Sequence, residues 1–306
     1  MVLSGNIQIN RHLPSFASPI QRLLTIVTLL VIGLSVSSSP IYAAKSRASS
    51  TATEKSLVTL INRGTDSQPV FDVRNDYNGP IEFELSADEF VNMKSEPALP
   101  IRRVIPAKTT VHLCQLMQIS ASEPWSYTYS TRYVLGKPGV RHLTGKPYRL
   151  PFDEIQQHII SQGYDGKRSH QTPATKYAID IDMPEDSKVF AMRSGRVMEI
   201  IRDRLDGNKK SVPALQVRIL HQDGTMGLYA QLKNDSIAVR EGQRVQRGQL
   251  IGNVGPSYKD NVKPHLHFAL QRNAGMKLES IPFQILGYSG SATTPKAGMT
   301  LKHPPY

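Results

Sequence analysis

The chain has 306 residues, which exceeds the ~150 residues expected of one domain and therefore predicts two folded units. Its 37 Lys and Arg residues against 25 Asp and Glu give a net charge of +12. Such a surface favours an anionic partner, although dispersed charge also serves solubility alone. Cys114 is the only cysteine, which excludes an intramolecular disulfide and a thiolate zinc cluster, so any metal site must use histidines and carboxylates.

An apolar leader comes first. Residues 23–36, LLTIVTLLVIGLSV, follow Arg11 and Arg22 and precede small residues around Ala43 and Ala44, which is the pattern of a signal peptide. The run is shorter than the ~20 residues that span a bilayer as a helix. Residues 1–44 are therefore predicted to be a signal peptide, with an uncleaved N-terminal anchor as the alternative. Either predicts a periplasmic or extracellular protein, with no nucleic-acid partner and membrane contact only through a retained leader.

A polar spacer at residues 45–55 precedes a predicted β-sandwich-like module at residues 56–139. Short alternating apolar segments separated by Pro and Gly indicate its strands. Trp125, Tyr127, Tyr129 and Tyr133 fall on one face of a strand. We interpret this aromatic stripe as a packed sheet face rather than as a glycan or peptide platform, and we interpret Cys114 as an inert core thiol.

A connector is predicted at residues 140–168. Its segment DEIQQHII is compatible with a short helix, and residues 162–166 are candidates for one wall of a neighbouring cleft. The last residues, 287–306, are rich in Gly, Ser, Thr, Lys and Pro, and are predicted to be a disordered tail.

The second module, residues 169–286, shows strands and turns throughout, including a hairpin at Asp223-Gly224. The segment PHLHFALQ alternates as a strand does, so His265 and His267 project to the same side and can address one small volume. A His-x-His pair alone is weak evidence for a metal site. His221, which precedes the hairpin turn, is interpreted as a surface or turn residue.

Residues 165–285 resemble the LytM/lysostaphin family of zinc endopeptidases. The segments that carry the resemblance are SHQTPATKYAIDIDMPEDSKVFAMRSGRV, GQLIGNVG and PHLHF. The resemblance implies an antiparallel β domain of the duplicated hybrid motif type, in a protein that is mainly β overall. It further implies one Zn²⁺ per chain, held by His170, Asp180 and His267 with water completing a tetrahedron, and a catalytic role for His265.

The chain departs from the family pattern at one position of the implied active site. Family members carry a second catalytic histidine in a Tyr-Ala-His-Leu segment, whereas this chain has Gln231 there. An amide can donate a hydrogen bond to a developing oxyanion but cannot act as an imidazolium. In addition, Lys259 and Lys263 make the segment before His265 more charged than is usual in the family, and both are candidates for recognising a carboxylate-bearing peptide.

Two functions follow from the resemblance. The first is an exported zinc metalloendopeptidase that hydrolyses peptide crosslinks of bacterial peptidoglycan with zinc-activated water, weakened by Gln231. The second is a catalytically impaired domain that binds the cell wall or regulates another hydrolase. Retention of His170, Asp180, His267 and His265 favours the first, and Gln231 favours the second.

Overall fold

The computed structural model describes residues 3–4, 8–11, 56–143, 145–202, 215–257 and 262–305. Within these ranges every regular element is a β-strand, as predicted for a mainly β protein. None of the described segments forms a helix that is long and apolar enough to cross a bilayer. The apolar run at residues 23–36 and the spacer at residues 45–55 lie outside the described residues, so both remain predictions. Residues 3–4 and 8–11, within the predicted leader at residues 1–44, form short strands that pair with residues 126–133, so the first module extends beyond its predicted bounds of 56–139.

Two facing antiparallel sheets form the first module, as the sequence predicted. One sheet has the order β1-β9-β5-β7, with β2 also on β9, and the other has the order β3-β4-β8-β6. The strands are β1 (Leu3–Ser4), β2 (Gln8–Arg11), β3 (Val58–Asn62), β4 (Val70–Asn75), β5 (Ile81–Val91), β6 (Met93–Glu96), β7 (Ile101–Ile105), β8 (Thr109–Gln118) and β9 (Ser126–Leu135).

The aromatic stripe of β9 belongs to the core of this sandwich. Tyr127 is 2% exposed and Tyr129 is 7% exposed, and both rings contact Phe71 of the facing sheet edge to face. The interpretation as a packed sheet face is therefore confirmed. Cys114 is fully buried in the same core, and its burial raises the pKa of the thiol to about 11, as expected of an inert thiol.

A sheet of nine strands organises the second module. Its order is β16-β13-β14-β15-β18-β11-β10-β22, with β19 on β18, while β12–β17 and β20–β21 form two small ladders. The strands are β10 (Gln157–Gln162), β11 (Ile179–Asp182), β12 (Lys188–Phe190), β13 (Gly195–Ile201), β14 (Leu215–Leu220), β15 (Met226–Leu232), β16 (Arg244–Val245), β17 (Leu250–Asn253), β18 (His265–Asn273), β19 (Leu278–Ser280), β20 (Ile285–Leu286), β21 (Ala292–Thr293) and β22 (Thr300–Lys302).

The two faces of this sheet have different roles. Val217, Tyr229 and Phe268 project from one face into the module's main hydrophobic core. Because side chains alternate along each strand, Asp180 and His267 project from the other face, which we call the site face. The alternation therefore gathers the polar candidate residues on the side away from the core.

The predictions of a short helix in the connector and of a disordered tail were wrong, for one shared reason. Residues 157–162 form β10, which pairs with β11 on one side and with β22 from the tail on the other. Ile160 and Leu301 are buried there, and His303 hydrogen-bonds through Nε2 to the Phe152 carbonyl over 2.9 Å. Long-range strand pairing overrides the local propensity of both segments.

The two modules share a hydrophobic cluster. Met198 of β13 and Met226 of β15 are fully buried among side chains of the sandwich core. Polar contacts add to this junction: the Met276 amide donates to Glu82 over 2.7 Å, and the Asn273 side chain donates to the Gly136 carbonyl over 3.0 Å. The sandwich therefore packs directly on the second module and is not connected to it by a flexible linker alone.

Candidate metal centre

Three side chains predicted as metal ligands meet at one point on the site face. Asp180 and His267 are directly opposite each other on the paired strands β11 and β18, and His170 comes from the loop before β11. Asp180 Oδ1 lies 3.1 Å from His170 Nε2 and 2.8 Å from His267 Nδ1, and the two nitrogens are 3.4 Å apart. Sequence positions separated by up to 97 residues are thus brought together by strand pairing.

These distances fit a tetrahedral zinc ion. Zinc–nitrogen and zinc–oxygen bonds of ~2.0–2.1 Å place neighbouring ligand atoms roughly 3.3 Å apart. The three observed separations scatter around that value, and all the candidate ligand atoms lie within 4.8 Å of one another. His170 and Asp180 are buried, whereas the His267 side chain is 14% exposed. The cluster can therefore hold an ion and keep one side accessible.

The hydrogen bonds of His170 are compatible with a cation at this point. His170 Nδ1 donates to the Gly163 carbonyl over 2.8 Å, so in a neutral ring Nε2 carries a lone pair. That lone pair faces the carboxylate oxygen Asp180 Oδ1, and two acceptors at 3.1 Å need a proton or a metal ion between them. Two imidazoles and one carboxylate with an open side are the ligand set of catalytic zinc.

The charges within the cluster are strongly coupled. Burial alone would raise the pKa of Asp180, but its contacts with His170 and His267 outweigh burial and hold that pKa well below the usual range. Burial would likewise lower the pKa of His170, yet Asp180 and the Gly163 carbonyl raise it overall. The fold thus keeps Asp180 ionised, as a metal ligand must be.

Gln162 supports the cluster from β10. Its Nε2 donates to Asp180 Oδ2 and to Ser169 Oγ, each over 2.8 Å, and its Oε1 accepts from the Arg168 amide over 3.0 Å. A Cβ at Gly166 would lie 2.2 Å from Gln162 Cγ, so only glycine leaves room for this side chain. The prediction that residues 162–166 contribute to the cleft is confirmed for Gln162.

His265 lies two residues before His267 on β18, with its side chain on the same face. Its Nδ1 donates to the Lys263 carbonyl over 2.8 Å, which leaves Nε2 of a neutral ring without a proton. His265 is half-buried and is not part of the three-residue cluster. It therefore presents a proton acceptor beside the cluster.

Gln231 occupies a bulge at the end of β15. In a regular strand, neighbouring residues on one face are separated by a single residue. Tyr229 and Leu232 both project into the core although two residues separate them, and Gln231, one of these two, has φ = +67°. The preceding residue, Ala230, is opposite His267. The bulge keeps the half-buried Gln231 side chain off the core side, next to the strand position that faces the cluster.

His221 was interpreted as a surface or turn residue. It is a turn residue, because its carbonyl accepts a hydrogen bond from the Gly224 amide over 3.0 Å, but it does not lie at the surface. His221 is 3% exposed, its Nδ1 donates to the Ser194 carbonyl over 3.0 Å, and its ring meets Tyr148 edge to face. Burial lowers its pKa to about 4. It is a neutral core histidine at the far end of the hairpin and does not replace the histidine absent at position 231.

Residues 174–278 match the family model described as Peptidase family M23. Asp180, His265 and His267 lie within the match, and His170 lies just before it. The chain contains an M23 domain. This confirms the resemblance to the LytM/lysostaphin peptidases, and the mainly β architecture agrees with it.

Solved structures similar to the chain include M23 proteins. One is the catalytic domain of a mutant of the prophage-encoded M23 protein EnpA from Enterococcus faecalis, at 19% identity over 44% of this chain and 93% of that chain, with a TM-score of 0.32. Another is the catalytic domain of lysostaphin from Staphylococcus simulans, at 23% identity over 39% and 82%, with a TM-score of 0.28.

A third similar structure is the SpoIIQ–SpoIIIAH pore-forming complex, at 19% identity over 44% of this chain and 87% of that chain, with a TM-score of 0.33. TM-scores of this size carry no argument about function. No curated protein matches the chain. The assignment of the M23 domain therefore rests on the family model together with the residues of the cluster.

Sequence reasoning missed Asp182, Ser161 and Arg168, which lie near His265. The signal for Asp182 was present, because a residue two positions after Asp180 on a strand shares its face. Nothing in the local sequence pointed to Ser161 or Arg168, which approach His265 only through the pairing of β10 with β11. Lys259, a candidate for substrate recognition, lies outside the described residues.

Proposed function

We propose that the chain is an exported zinc metalloendopeptidase that hydrolyses peptide crosslinks of bacterial peptidoglycan. The observation that supports this most strongly is the convergence of His170 Nε2, Asp180 Oδ1 and His267 Nδ1 in the M23 domain, with one side accessible. A periplasmic or extracellular location rests on the leader at residues 23–36 and stays a prediction.

Each site residue has a distinct role in this proposal. When bound, zinc supplies a Lewis acid that lowers the pKa of a water molecule and polarises the peptide carbonyl. His265 Nε2 accepts a proton from the attacking water and returns it to the leaving amine. The Gln231 amide donates a hydrogen bond to the developing oxyanion, and Gln162 and the Gly163 carbonyl hold Asp180 and His170 in place.

The second candidate function is a catalytically impaired domain that binds the cell wall or regulates another hydrolase. It is favoured by Gln231, because an amide can neither carry a positive charge nor transfer a proton to the oxyanion region. Both functions require the cluster, so a zinc stoichiometry near one would support a metal site without separating them.

Digestion of purified peptidoglycan separates the two functions. Zinc-loaded protein should release muropeptides whose crosslinks are cut, as identified by mass spectrometry, and His265→Ala should release none. His112→Ala is the matched control, because His112 lies in the sandwich and pairs with Asp72. If zinc is bound and no crosslink is cut in several wall types, the impaired domain is the better description.

Placing a histidine at position 231 tests the proposed role of Gln231. Loss of one oxyanion donor costs roughly 10²–10³ in turnover, and Gln231 is expected to retain part of that contribution. Gln231→His should therefore raise kcat by about tenfold, with little change in zinc affinity. Histidine tolerates a positive φ better than most residues, so the bulge should accept it. A kcat that is unchanged or lower would contradict the oxyanion role.

A further inference from the structure

A row of side chains beside the metal cluster includes His265, and the other residues around it have no role in the proposed chemistry so far. Ile159, Asp182 and His265 are opposite one another on β10, β11 and β18, so their side chains share the site face. A cavity of about 180 Å³ lies at this row, and Arg168 and Lys263 also line it. The cavity lies two residues along each strand from the row that contains Asp180 and His267, on the same face of the sheet.

The lining of this cavity leaves positive charge uncompensated. The ion pairs found among the described residues include no carboxylate partner for Arg168 or Lys263, and both residues are exposed. Asp182 supplies a single negative charge against these two cations. Among the described residues, the cavity lining therefore carries two cationic side chains against one carboxylate, next to a metal site that is itself cationic when occupied.

Both cationic residues are held in place by their backbones. The Lys263 carbonyl accepts from His265 Nδ1 over 2.8 Å, and the Arg168 amide donates to Gln162 Oε1 over 3.0 Å. The backbone of each residue is thus tied to a side chain that touches or supports the proposed catalytic centre. The Arg168 guanidinium also donates through Nη2 to the Ser161 carbonyl over 3.4 Å, and a substrate group bound here would lie close to the scissile bond.

We propose that this cavity binds a free carboxylate of the peptide substrate, with Arg168 and Lys263 as specificity-determining residues. This inference rests on the proposed peptidase function and names the chemistry of the substrate. A guanidinium presents paired donors that match the two oxygens of a carboxylate, and an ammonium adds a point charge. Asp182 disfavours a second anion, and Val262 supplies an apolar part of the cavity lining.

The test compares two ligands that differ only in charge. One is the uncrosslinked stem peptide of peptidoglycan with free carboxyl groups, and the other is the same peptide with those groups amidated. Neither contains a crosslink, so affinity for zinc-loaded full-length protein can be measured by calorimetry without turnover. Exposed charge pairs are worth up to ~1 kcal/mol, so the free acid should bind about fivefold more tightly than the amide.

Variants should change this preference in opposite directions. Arg168→Gln and Lys263→Gln should each reduce it to about twofold, because each removes one cation. Asp182→Asn should increase it, because it removes the opposing charge, and general damage to the fold would not produce that increase. Lys167→Gln is the matched control, since Lys167 is an exposed neighbour of Arg168 that does not line the cavity.

Equal affinity of the wild-type protein for the two ligands would overturn the inference. The inference would also be overturned if Asp182→Asn lowered the preference for the free acid, as Arg168→Gln and Lys263→Gln are expected to do. The result is separable from the proposed activity. A protein that cuts crosslinks without distinguishing the ligands refutes the carboxylate site, whereas one that distinguishes them without cutting any crosslink refutes the peptidase.

Discussion

At the scale of single residues, the metal cluster depends on side chains that are not themselves ligands. Gln162 hydrogen-bonds to Asp180, and the Gly163 carbonyl fixes the ring of His170. Such partners orient the ligands and keep them in the protonation state that a metal needs. The absence of a side chain at Gly166 makes room for Gln162. The sequence motif therefore identifies the metal ligands but not the residues that hold them in place.

Gln162→Leu should weaken zinc binding by about 10–100-fold, because Asp180 Oδ2 loses its hydrogen-bond donor while the ligands themselves remain. Competition with a chelating dye would measure the change. Gln157→Leu is the matched control, since Gln157 is exposed on the same strand. Equal zinc affinities for the two variants would show that Gln162 does not support the cluster.

His221 should make the protein less stable as the pH falls. Its pKa is about 4 in the folded protein, below the ordinary value of 6.5, so between these two values the unfolded chain binds more protons. The stability that neutral His221 contributes to the folded protein is therefore fully present above pH 6.5. As the pH falls towards 4, this contribution is lost, and the free energy of unfolding decreases by about 3 kcal/mol.

Urea unfolding at several pH values would test this contribution. His221→Gln preserves a donor for the Ser194 carbonyl but does not titrate, so its stability should depend less steeply on pH between 6.5 and 4 than that of the wild type. Identical pH profiles for the two proteins would show that His221 does not titrate in this way.

At the scale of elements, the large sheet explains both where the site lies and why the tail is ordered. β18 pairs with β11 and β15, which places Asp180, His267 and Ala230 in one row. β22 pairs with β10 and completes the edge of the sheet next to the strand that carries Gln162. A strand that closes an exposed sheet edge also protects the backbone groups of its neighbour.

Leu301→Ala should lower the free energy of unfolding by about 2–4 kcal/mol, because Leu301 of β22 is 3% exposed in the main core of the second module. Thr300→Ala, at an exposed position of the same strand, should change it by less than about 0.5 kcal/mol. Chemical denaturation measures both. A Leu301→Ala variant as stable as Thr300→Ala would mean that the tail does not contribute to the core.

At the scale of the whole molecule, the sandwich and the M23 domain form one packed body in the described residues. Met198 and Met226 of the M23 domain lie fully buried in the core of the sandwich, and Glu82 accepts a hydrogen bond from the Met276 amide. Separating the two modules would expose both methionines and leave the buried Glu82 without this donor. Such a junction couples the stability of the two modules.

Calorimetry of the zinc-free protein should therefore show a single unfolding transition. The ratio of the calorimetric to the van't Hoff enthalpy should be near one, as expected of a cooperative unit. Met226→Asp should lower the midpoint by placing a charge in the shared core. Two separate transitions in the wild-type protein would contradict the coupling of the modules.

Local pattern was sufficient for much of the fold and for the ligands of the site. Alternation identified the sandwich strands and placed His265 and His267 on one face, and the family resemblance identified His170 and Asp180 as their partners. These features depend on neighbours in sequence or on an ordered motif. They could therefore be found without knowing which strands pair.

The remaining features depend on contacts between distant segments, so only the tertiary structure decided them. The tail became a strand because β10 offered an unpaired edge, and His221 is buried because its ring packs against the distant Tyr148 and bonds to the Ser194 carbonyl. The cavity beside His265 formed because Arg168 and Asp182 approach β18 through two strand pairings. Local sequence determines which face a side chain occupies, whereas long-range pairing determines what it meets there.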